Sequence, residues 1–355
     1  NINKNIGVKT KISNSVFDGC QAGKGNTYEA TGGAIESDTY NVTIANCAFY
    51  HCSSNKNGGA VSIYSGRKND TTNTSVEIEN CTFKGSTGRL HNSYNGYFGG
   101  ALRSSAYETN VIDCIFEDYV ETTGGTQAGK PHEATTGGAI AFTNMQSSAT
   151  ATLSGTTIKN AKARMYGGAI HLKNGTLLLK ADDDGNPTMI VDCKGEGSTN
   201  NNNPAGGAIY LEGGSLELQA AVIANCSAKY GGAIYASAGT TVTLTPTTVS
   251  GTAYPIITGN TATGAGAGIY LAGAVLENGT VVKNAAELEI SGAPDFGGTG
   301  IDDSGAIADS TRDFNVPYKE IQDGTLVAAT ATMTVNNGNF LVNTSGNGTL
   351  TNAKN

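Results

Sequence analysis

The sequence predicts an all-β fold, a single-stranded parallel β-helix of stacked coils, and three observations point to it. A Gly-Gly-Ala-aliphatic phrase recurs every 25 to 41 residues, beginning at Gly32, Gly58, Gly99, Gly137, Gly167, Gly206 and Gly231, with a degenerate copy at Gly266. A second phrase, aliphatic-x-Asn-Cys or a variant with Asp, recurs together with the first, at residues 44–47, 78–81, 112–114, 191–193 and 223–226. The third observation is period-2 alternation of apolar residues without any sustained helical periodicity. Phrases that recur together indicate a stacked repeat with insertions in the longer copies.

The shortest copy, residues 206–230, shows one repeat without insertions. It predicts three short strands at 206–211, 215–218 and 222–226, with a glycine turn between the first two. Stacked about 4.8 Å apart, about nine such three-strand coils would form a rod about 45 Å long. A β-propeller blade or an antiparallel sandwich is the competing fold, but a blade needs about 40 residues.

The recurring residues have predicted places in each coil. Glycine pairs would turn corners that leave no room for a Cβ atom. Asparagine or aspartate is expected to form one ladder at a single bend, from Asn14, Asn46, Asn80, Asp113, Asp192, Asn225 and Asn260. Cysteines are expected in one inward column, made of Cys47, Cys81, Cys114, Cys193 and Cys226. An aromatic and aliphatic column should follow, made of Phe17, Phe49, Phe83, Phe116 and Ile158.

The repeat pattern also divides the chain. Residues 1–284 are predicted to form the rod, and the pattern fades beyond residue 285. The segment 285–355 is expected to be a divergent terminal coil that caps the rod, or a bridge to a further module. The chain opens within the pattern and without a methionine, which predicts a mature or excised piece of a longer protein.

Charge and hydropathy narrow the choice of partners. The chain has 30 acidic and 22 basic residues, a formal net charge of −8, and no cluster of Lys and Arg in the linear sequence. Neither nucleic acid nor an anionic membrane is therefore the expected partner. No stretch approaches the 18 apolar residues that a transmembrane helix requires.

Four insertions share one position in the repeat. They are residues 18–31, 84–98, 117–136 and 194–205, and each lies between the Asn-Cys strand and the next glycine pair. One position in a stacked coil means one edge of the rod, and repeat proteins often bind through such an edge. The predicted ligand-binding residues of this edge are Tyr28, Tyr94, Tyr97, Phe98, Tyr119 and His132. The alternative is that these loops merely pack over the side of the rod.

Two further sets of residues have a candidate chemistry and a simpler explanation. Asp182, Asp183 and Asp184 are weak candidates for a calcium site, although their spacing is more typical of a solvated acidic turn. No other metal site or cofactor is expected. Cys20 and Cys52 would be adjacent in the stack and could pair, whereas the simpler expectation is that all seven cysteines are buried small hydrophobes.

Catalytic motifs are sparse. Residues 130–133 (Lys-Pro-His-Glu) resemble the Asp-Pro-His-Glu motif of alginate C5-epimerases, but Lys130 replaces the first aspartate. No recurrent basic set indicates a polysaccharide lyase, and no carboxylate pair indicates a glycoside hydrolase. The sequence therefore favours a protein without catalytic activity, with a polysaccharide-active enzyme as the alternative.

The repeat phrases resemble those of the polymorphic outer membrane protein family, bacterial surface proteins with Gly-Gly-Ala-Ile and Phe-x-x-Asn tetrads, and of similar autotransporter-passenger-like secreted adhesins. The resemblance covers about residues 14–270 and is strongest over residues 225–235. It departs at the second tetrad, because Phe17 and Phe49 are followed three residues later by cysteine. The resemblance implies a right-handed β-helix, display at the cell surface and adhesion.

These observations lead to three hypotheses. The first is an extracellular adhesin or surface-scaffold rod that binds a host or cell-surface protein or glycan through loops on one edge. The second is a lyase or epimerase-like enzyme acting on polysaccharides, a common use of the fold. The third is a structural filament subunit that associates end to end through open rod ends.

Overall fold

The chain winds into a parallel β-helix whose coils have four sides, and each side stacks into a parallel sheet. A computed structural model describes residues 9–23, 30–39, 41–64, 74–88, 98–118, 133–143, 145–197, 203–277 and 280–291, and short strands beyond residue 313. The described residues form strands, bends and turns, with no helix. We number the sheets 1 to 4 in the order in which the chain passes through them after a glycine pair.

Each sheet collects the same strand of successive coils. Sheet 1 contains Ile35–Ser37, Val61–Ile63, Leu102–Ser104, Ile140–Phe142, Ile170–Leu172, Ile209–Leu211, Ile234–Ala236, Ile269–Leu271 and Phe314–Asn315. Sheet 2 contains Lys9–Ser13, Asn41–Ala45, Ser75–Glu79, Glu108–Ile112, Thr150–Ser154, Thr176–Lys180, Ser215–Leu218, Thr241–Leu244, Glu287–Ser291, Thr332–Asn336 and Thr349–Asn352. Sheet 3 contains Val16–Asp18, Ala48–Tyr50, Thr82–Lys84, Ile115–Glu117, Thr157–Lys159, Thr188–Val191, Ala221–Ala224 and Ile256–Thr258.

Sheet 4 is shorter and less regular, because the insertions enter the coil on this side. It contains Glu133–Thr136, Lys162–Tyr166, Lys194–Gly195, Ser227–Tyr230 and Thr261–Ala265, and Gln21–Ala22 pairs separately with Ser53–Ser54. Three antiparallel hairpins project from the coils: Thr247–Val249 with Thr252–Tyr254, Val275–Glu277 with Thr280–Lys283, and Lys319–Gln322 with Thr325–Ala328.

The predicted alignment of the repeats is confirmed by the strand register. Ile209 lies directly opposite Ile234 in adjacent coils, and the same register continues to Ile269. Beyond residue 285, the strand Glu287–Ser291 extends sheet 2 in parallel, and Thr332–Asn336 follows it. Strands of the terminal segment thus join the same stack, and its assignment as a cap or bridge stays a prediction.

A coil has four strands, whereas the sequence predicted three. In the 25-residue repeat the strands are Ile209–Leu211, Ser215–Leu218, Ala221–Ala224 and Ser227–Tyr230. The missed corner is at Asn225, whose φ of 55° bends the chain where the sequence predicted a continuous strand end.

The predicted single ladder of Asn and Asp is wrong, because these residues occupy two different bends. Asn14, Asn46, Asn80 and Asp113 lie between sheets 2 and 3, whereas Asp192 and Asn225 lie between sheets 3 and 4. Both bends need a left-handed residue, which Asn and Asp adopt more readily than other non-glycine residues. Asn260 also lies between sheets 3 and 4, but there Gly259 is the left-handed residue, and the Asn260 side chain is buried and bonds the backbone of Cys226 and Ile223.

The predicted cysteine column is divided in the same way and for the same reason. Cys47, Cys81 and Cys114 follow the first bend, and Cys20, Cys52, Cys193 and Cys226 follow the second. All seven are free thiols, including the facing residues Cys20 and Cys52. Burial raises the pKa of Cys52 to about 12, so this thiol is protonated at neutral pH and chemically inert.

The interior is filled by columns of matching side chains. The predicted aromatic column is confirmed, with Phe49, Phe83 and Phe116 stacked at ring distances of 4.6 and 4.5 Å. Ile158 continues it in the next coil. On sheet 4 the inward residues are small, which brings this side close to the core: Ala163, Gly195, Ala228 and Ala262.

Candidate functional site

A row of aromatic side chains runs along the outer face of sheet 1. In each three-residue strand the first and third residues point inward and the second points outward. That outward position is His171, Tyr210, Tyr235 and Tyr270 in four successive coils, and each pairs directly with the next. In these four coils the residue after the glycine phrase thus forms one continuous row.

The rings of this row stack on one another. The ring centroids of Tyr210 and Tyr235 are 5.3 Å apart, and those of Tyr235 and Tyr270 are 4.9 Å apart, with interplanar angles of 17° and 7°. His171 continues the row at 5.6 Å from Tyr210. The ring faces therefore cover each other, and the tyrosine side chains are half-buried.

Three more aromatic residues join the row from the residue that precedes a glycine pair. Tyr166 stacks on Tyr210 at 4.5 Å, and Tyr230 meets Tyr270 at 5.5 Å with a tilt of 57°. The third is Phe98, whose ring stacks on His171 at 5.5 Å. We call the whole set the aromatic row: Phe98, Tyr166, His171, Tyr210, Tyr230, Tyr235 and Tyr270.

Phe98 is the one predicted edge residue that the structure describes. Its backbone N–H donates to the Asn57 side-chain oxygen at 3.0 Å, which fixes the start of this coil. Its ring reaches His171 across the coil between them, where the outward residue is the small Ala141. Tyr28, Tyr94, Tyr97, Tyr119 and His132 lie outside the described residues.

The shared position of the four insertions agrees with the described strands that flank them. Residues 18–31, 84–98 and 117–136 begin in a sheet 3 strand, residues 194–205 begin in the sheet 4 strand Lys194–Gly195, and all four insertions end before the next sheet 1 strand. The aromatic row lies at this same edge, on sheet 1 and on the glycine corners before it. Phe98 belongs to both the insertion and the row.

His171 is the buried polar member of the row. Its Nε2 lies 3.0 Å from the Glu212 carboxylate, to which the Nε2–H tautomer donates, while Nδ1 has no partner among the described residues. Burial lowers the pKa of His171, and its hydrogen bond lowers that of Glu212. Lys173 approaches the same carboxylate at 3.5 Å. The imidazole is therefore neutral at pH 7 and serves as one more stacked ring.

The tyrosine hydroxyls keep their protons. Burial raises the pKa of Tyr210 to about 12, and it also raises the pKa of Tyr235 and of Tyr270. At neutral pH each hydroxyl is therefore both a hydrogen-bond donor and an acceptor. The row offers apolar ring edges beside polar hydroxyls, a combination suited to recognising sugars or polar protein surfaces.

The linear sequence has no cluster of Lys and Arg, but the fold brings four cationic residues near one another. Residues separated in the sequence come together on the outer face of sheet 4, and we call them the basic patch: Lys162, Arg164, Lys194 and Lys229. Lys162 faces Lys194 directly in the register. Glu196 lies between them, 3.2 Å from the Lys162 ammonium and 3.9 Å from that of Lys194.

The acidic side chains that give the chain its negative charge are concentrated elsewhere. Outward positions of sheet 2 hold Glu77, Glu79, Glu108, Glu217, Glu287 and Glu289, against Lys9, Lys11 and Lys180. Sheets 2 and 4 are non-adjacent sides of the coil, separated by sheet 3 in one direction and by sheet 1 in the other. The rod therefore presents a basic side and a more acidic side.

The predicted calcium candidates lie in a hydrogen-bonded turn. The Asp182 carboxylate accepts from both the backbone N–H and the side-chain amide of Asn186, each at 2.7 Å. Burial and this neighbouring carboxyl raise the pKa of Asp113, which approaches Asp182 beside Gly155. Within the part of the chain that the structure describes, no three His, Cys, Asp or Glu side chains converge as a metal site would require.

Sequence reasoning missed most of the aromatic row and all of the basic patch. A signal for the row was present, since tyrosine follows the Gly-Gly-Ala-Ile phrase at Tyr210 and Tyr235 and the degenerate phrase at Tyr270. The basic patch had no such signal, because its members come from three coils and take different places relative to the phrases. Only the stacking register brings them together.

Comparison with protein-family models, curated protein sequences and solved structures finds no match to this chain. The fold and the edge define its class directly: it is a parallel β-helix repeat protein. The resemblance to polymorphic outer membrane proteins stays a prediction from the repeat phrases. In the described ranges the structure has no helix of the length and apolarity needed to cross a membrane.

Proposed function

We propose that this protein is an extracellular adhesin or surface-scaffold rod that binds a cell-surface glycan or protein along one edge and performs no catalysis. The observation that carries the proposal is the aromatic row, which lies at the edge where the four insertions enter. Aromatic side chains with polar tips are enriched where proteins bind other molecules.

The row also differs from what packing alone requires. Inward columns already fill the coil with Ile, Leu, Ala and Phe, which are fully buried. In other coils the outward position of sheet 1 holds polar residues, among them Glu36, Ser62 and Arg103. Three consecutive half-buried tyrosines there, Tyr210, Tyr235 and Tyr270, favour a surface that recognises a partner.

The test replaces Tyr235 and Tyr270 together by alanine and measures binding to arrays of glycans and cell-surface proteins. We expect a loss of at least tenfold in affinity for whichever array member the wild type binds, because central aromatic side chains dominate such interfaces. The matched control replaces Leu178, an outward apolar residue of sheet 2, by alanine and should leave binding unchanged. Circular dichroism and thermal unfolding verify that each variant is folded.

Unchanged binding of the tyrosine variant would remove the aromatic row as the site. A wild-type protein that binds no member of either array would remove the proposed function. Incubation with uronic-acid polymers provides the remaining check, since new unsaturated products or reducing ends would contradict the absence of catalysis.

A further inference from the structure

We infer that the partner of this edge is an anionic glycan whose sugar rings lie along the aromatic row and whose carboxylate or sulfate groups reach the basic patch. This inference rests on the proposed function and names the ligand class for the same edge. Its carrying observation is the juxtaposition of four cationic side chains with stacked tyrosines on adjacent sides of the coil.

The basic patch stands out against the charge of the whole chain. The protein has a formal net charge of −8, yet the outer face of sheet 4 brings four cationic residues together with two acidic ones: Glu196, which contacts Lys162 and Lys194, and Glu133, which is opposite Lys162 in the register. Like charges directly opposite each other in a sheet are destabilising, and between Lys162 and Lys194 the Glu196 carboxylate supplies one counter-charge for two cations. An anionic ligand would supply a further counter-charge, and the small inward residues Ala163 and Gly195 do not require cations at these positions.

Two of these cations are accessible to a ligand. The Lys194 side chain is 53% exposed and that of Lys162 is 41% exposed. Glu196 bridges both ammonium groups and holds them side by side, while each can still donate outward. The inward neighbours of these lysines, Ala163 and Gly195, are small, so packing in this strand pair gives no other reason for the lysines.

The basic patch and the aromatic row form one continuous surface. The Lys229 ammonium lies over the Tyr230 ring, 5.5 Å from its centroid, and Tyr230 contacts Tyr270. The Lys229 side chain is also held by Asn203, whose oxygen accepts a hydrogen bond at 2.7 Å. Cations and rings are thereby placed within reach of the same ligand.

The spacing along the rod suits a repeating polymer. Rings of the aromatic row recur at 4.9 to 5.6 Å, one per coil. One hexose of an extended polysaccharide advances the chain by a comparable distance. A polysaccharide laid along the rod axis would therefore meet equivalent groups at each successive sugar.

The exposed parts of the rings favour a glycan over single-stranded nucleic acid. Nucleic-acid bases bind by stacking on open aromatic faces. In the aromatic row the faces of Tyr210 and Tyr235 are covered by their neighbours, so only the edges of these half-buried rings remain open. Sugar hydroxyls and C–H groups can use such edges, and acidic substituents provide the charge that the basic patch complements.

The experiment measures binding of heparin, polygalacturonate and neutral dextran to the wild type and two double variants. Lys194→Gln with Lys229→Gln removes two cations of the patch, and Lys11→Gln with Lys180→Gln removes two from sheet 2 as the matched control. We expect the patch variant to bind the preferred acidic polymer about tenfold more weakly, since one charge-assisted contact accounts for about that factor. The control should match the wild type, and raising the salt concentration should weaken binding.

Three outcomes would overturn the inference. They are equal binding of dextran and the acidic polymers, an unchanged affinity in the patch variant, or competition by single-stranded DNA as strong as that by the acidic polymer. In each case the proposed function survives if the Tyr235 and Tyr270 substitutions still abolish binding to an array member. If those substitutions change no binding at all, the proposed edge itself fails.

Discussion

Single residues set the corners of this fold, and the glycine pairs do so in two ways. The first glycine of a pair adopts positive φ, as Gly206 does at 69°. The second has no space for a side chain: a Cβ on Gly207 would collide with the Gly232 carbonyl oxygen and with the backbone of Ser227 in the next coil. The sequence predicted both properties, since a recurrent glycine pair has no other simple explanation.

Substitution of two glycines tests whether the second glycine of a pair has no space for a side chain. Gly207→Ala should lower the free energy of unfolding by about 3 kcal/mol, because the new methyl group must displace backbone atoms. Gly195→Ala should raise it by about 0.5 kcal/mol, since its Cβ would meet its neighbours at ordinary contact distances, the Ala228 Cβ at 3.4 Å and the Gly206 carbonyl oxygen at 3.7 Å. Urea denaturation of both variants measures the difference. Equal effects would contradict the assignment of Gly207 to a closed corner.

The Asn-Cys phrase shows where residue-level prediction failed. Asn80 and Asn225 have nearly the same φ, 50° and 55°, but occupy different bends of the coil. Both bends need a left-handed residue followed by a small inward residue, so the same dipeptide satisfies either one. Local sequence therefore specified the conformation of these residues but not which corner they form.

At the scale of the strand, the inward columns account for the cohesion of the rod. Phe83 is fully buried between Phe49 and Phe116, with interplanar angles of 6° and 1°. The sequence predicted this column because phenylalanine recurs two residues after each Asn-Cys or Asp-Cys pair in the first coils. Each ring depends on its neighbours above and below, which makes the column sensitive to a gap.

Phe83→Ala should destabilise the protein by about 3 to 5 kcal/mol, the usual cost of removing a buried aromatic ring. Phe83→Ile should cost less, because Ile158 occupies the same column against Phe116. Hydrogen exchange of sheet 3 amides measures the effect locally, and we expect the largest loss of protection in the strands Ala48–Tyr50 and Ile115–Glu117. A uniform loss along the whole rod would instead show that the coils unfold as one unit.

The outward faces of the strands could be predicted less well. Tyr210, Tyr235 and Tyr270 share a place in the repeat and were recoverable from the sequence. Lys194 and Lys229 do not share a place, because Lys194 is in register with Ser227, two residues before Lys229. Outward side chains contribute little to the repeat pattern, so only the three-dimensional register shows which of them are neighbours.

At the scale of the whole molecule, the register is uniform from coil to coil. Ile170, Ile209 and Ile234 are aligned, as are Leu179, Leu218 and Leu244 on sheet 2. Since coils in a solenoid contact only their neighbours, stability is close to a sum over coils and interfaces. The sequence predicted this organisation because the spacing of the phrases, rather than any one residue, carries it.

Deletion of residues 206–230 should therefore leave a folded rod that is shorter by one coil. The deletion joins Ala205 to Gly231 and allows Ile170 to pair with Ile234 in the register that Ile209 had. Circular dichroism should retain its β-sheet signal, with a modest fall in the unfolding temperature. Deletion of residues 206–217, about half a coil, is the control and should prevent folding, and equal behaviour of the two would contradict uniform stacking.

The four parallel sheets have a mechanical consequence for a rod anchored at one end and attached to a partner along its edge. Hydrogen bonds between coils run along the rod axis, so tension applied along that axis pulls on them directly. The outermost coil would detach and unfold first, while the coils beneath it would stay folded. A rod attached in this way would unfold one coil at a time under tension. The aromatic and cationic side chains of the coils that remain folded would stay bound to the partner.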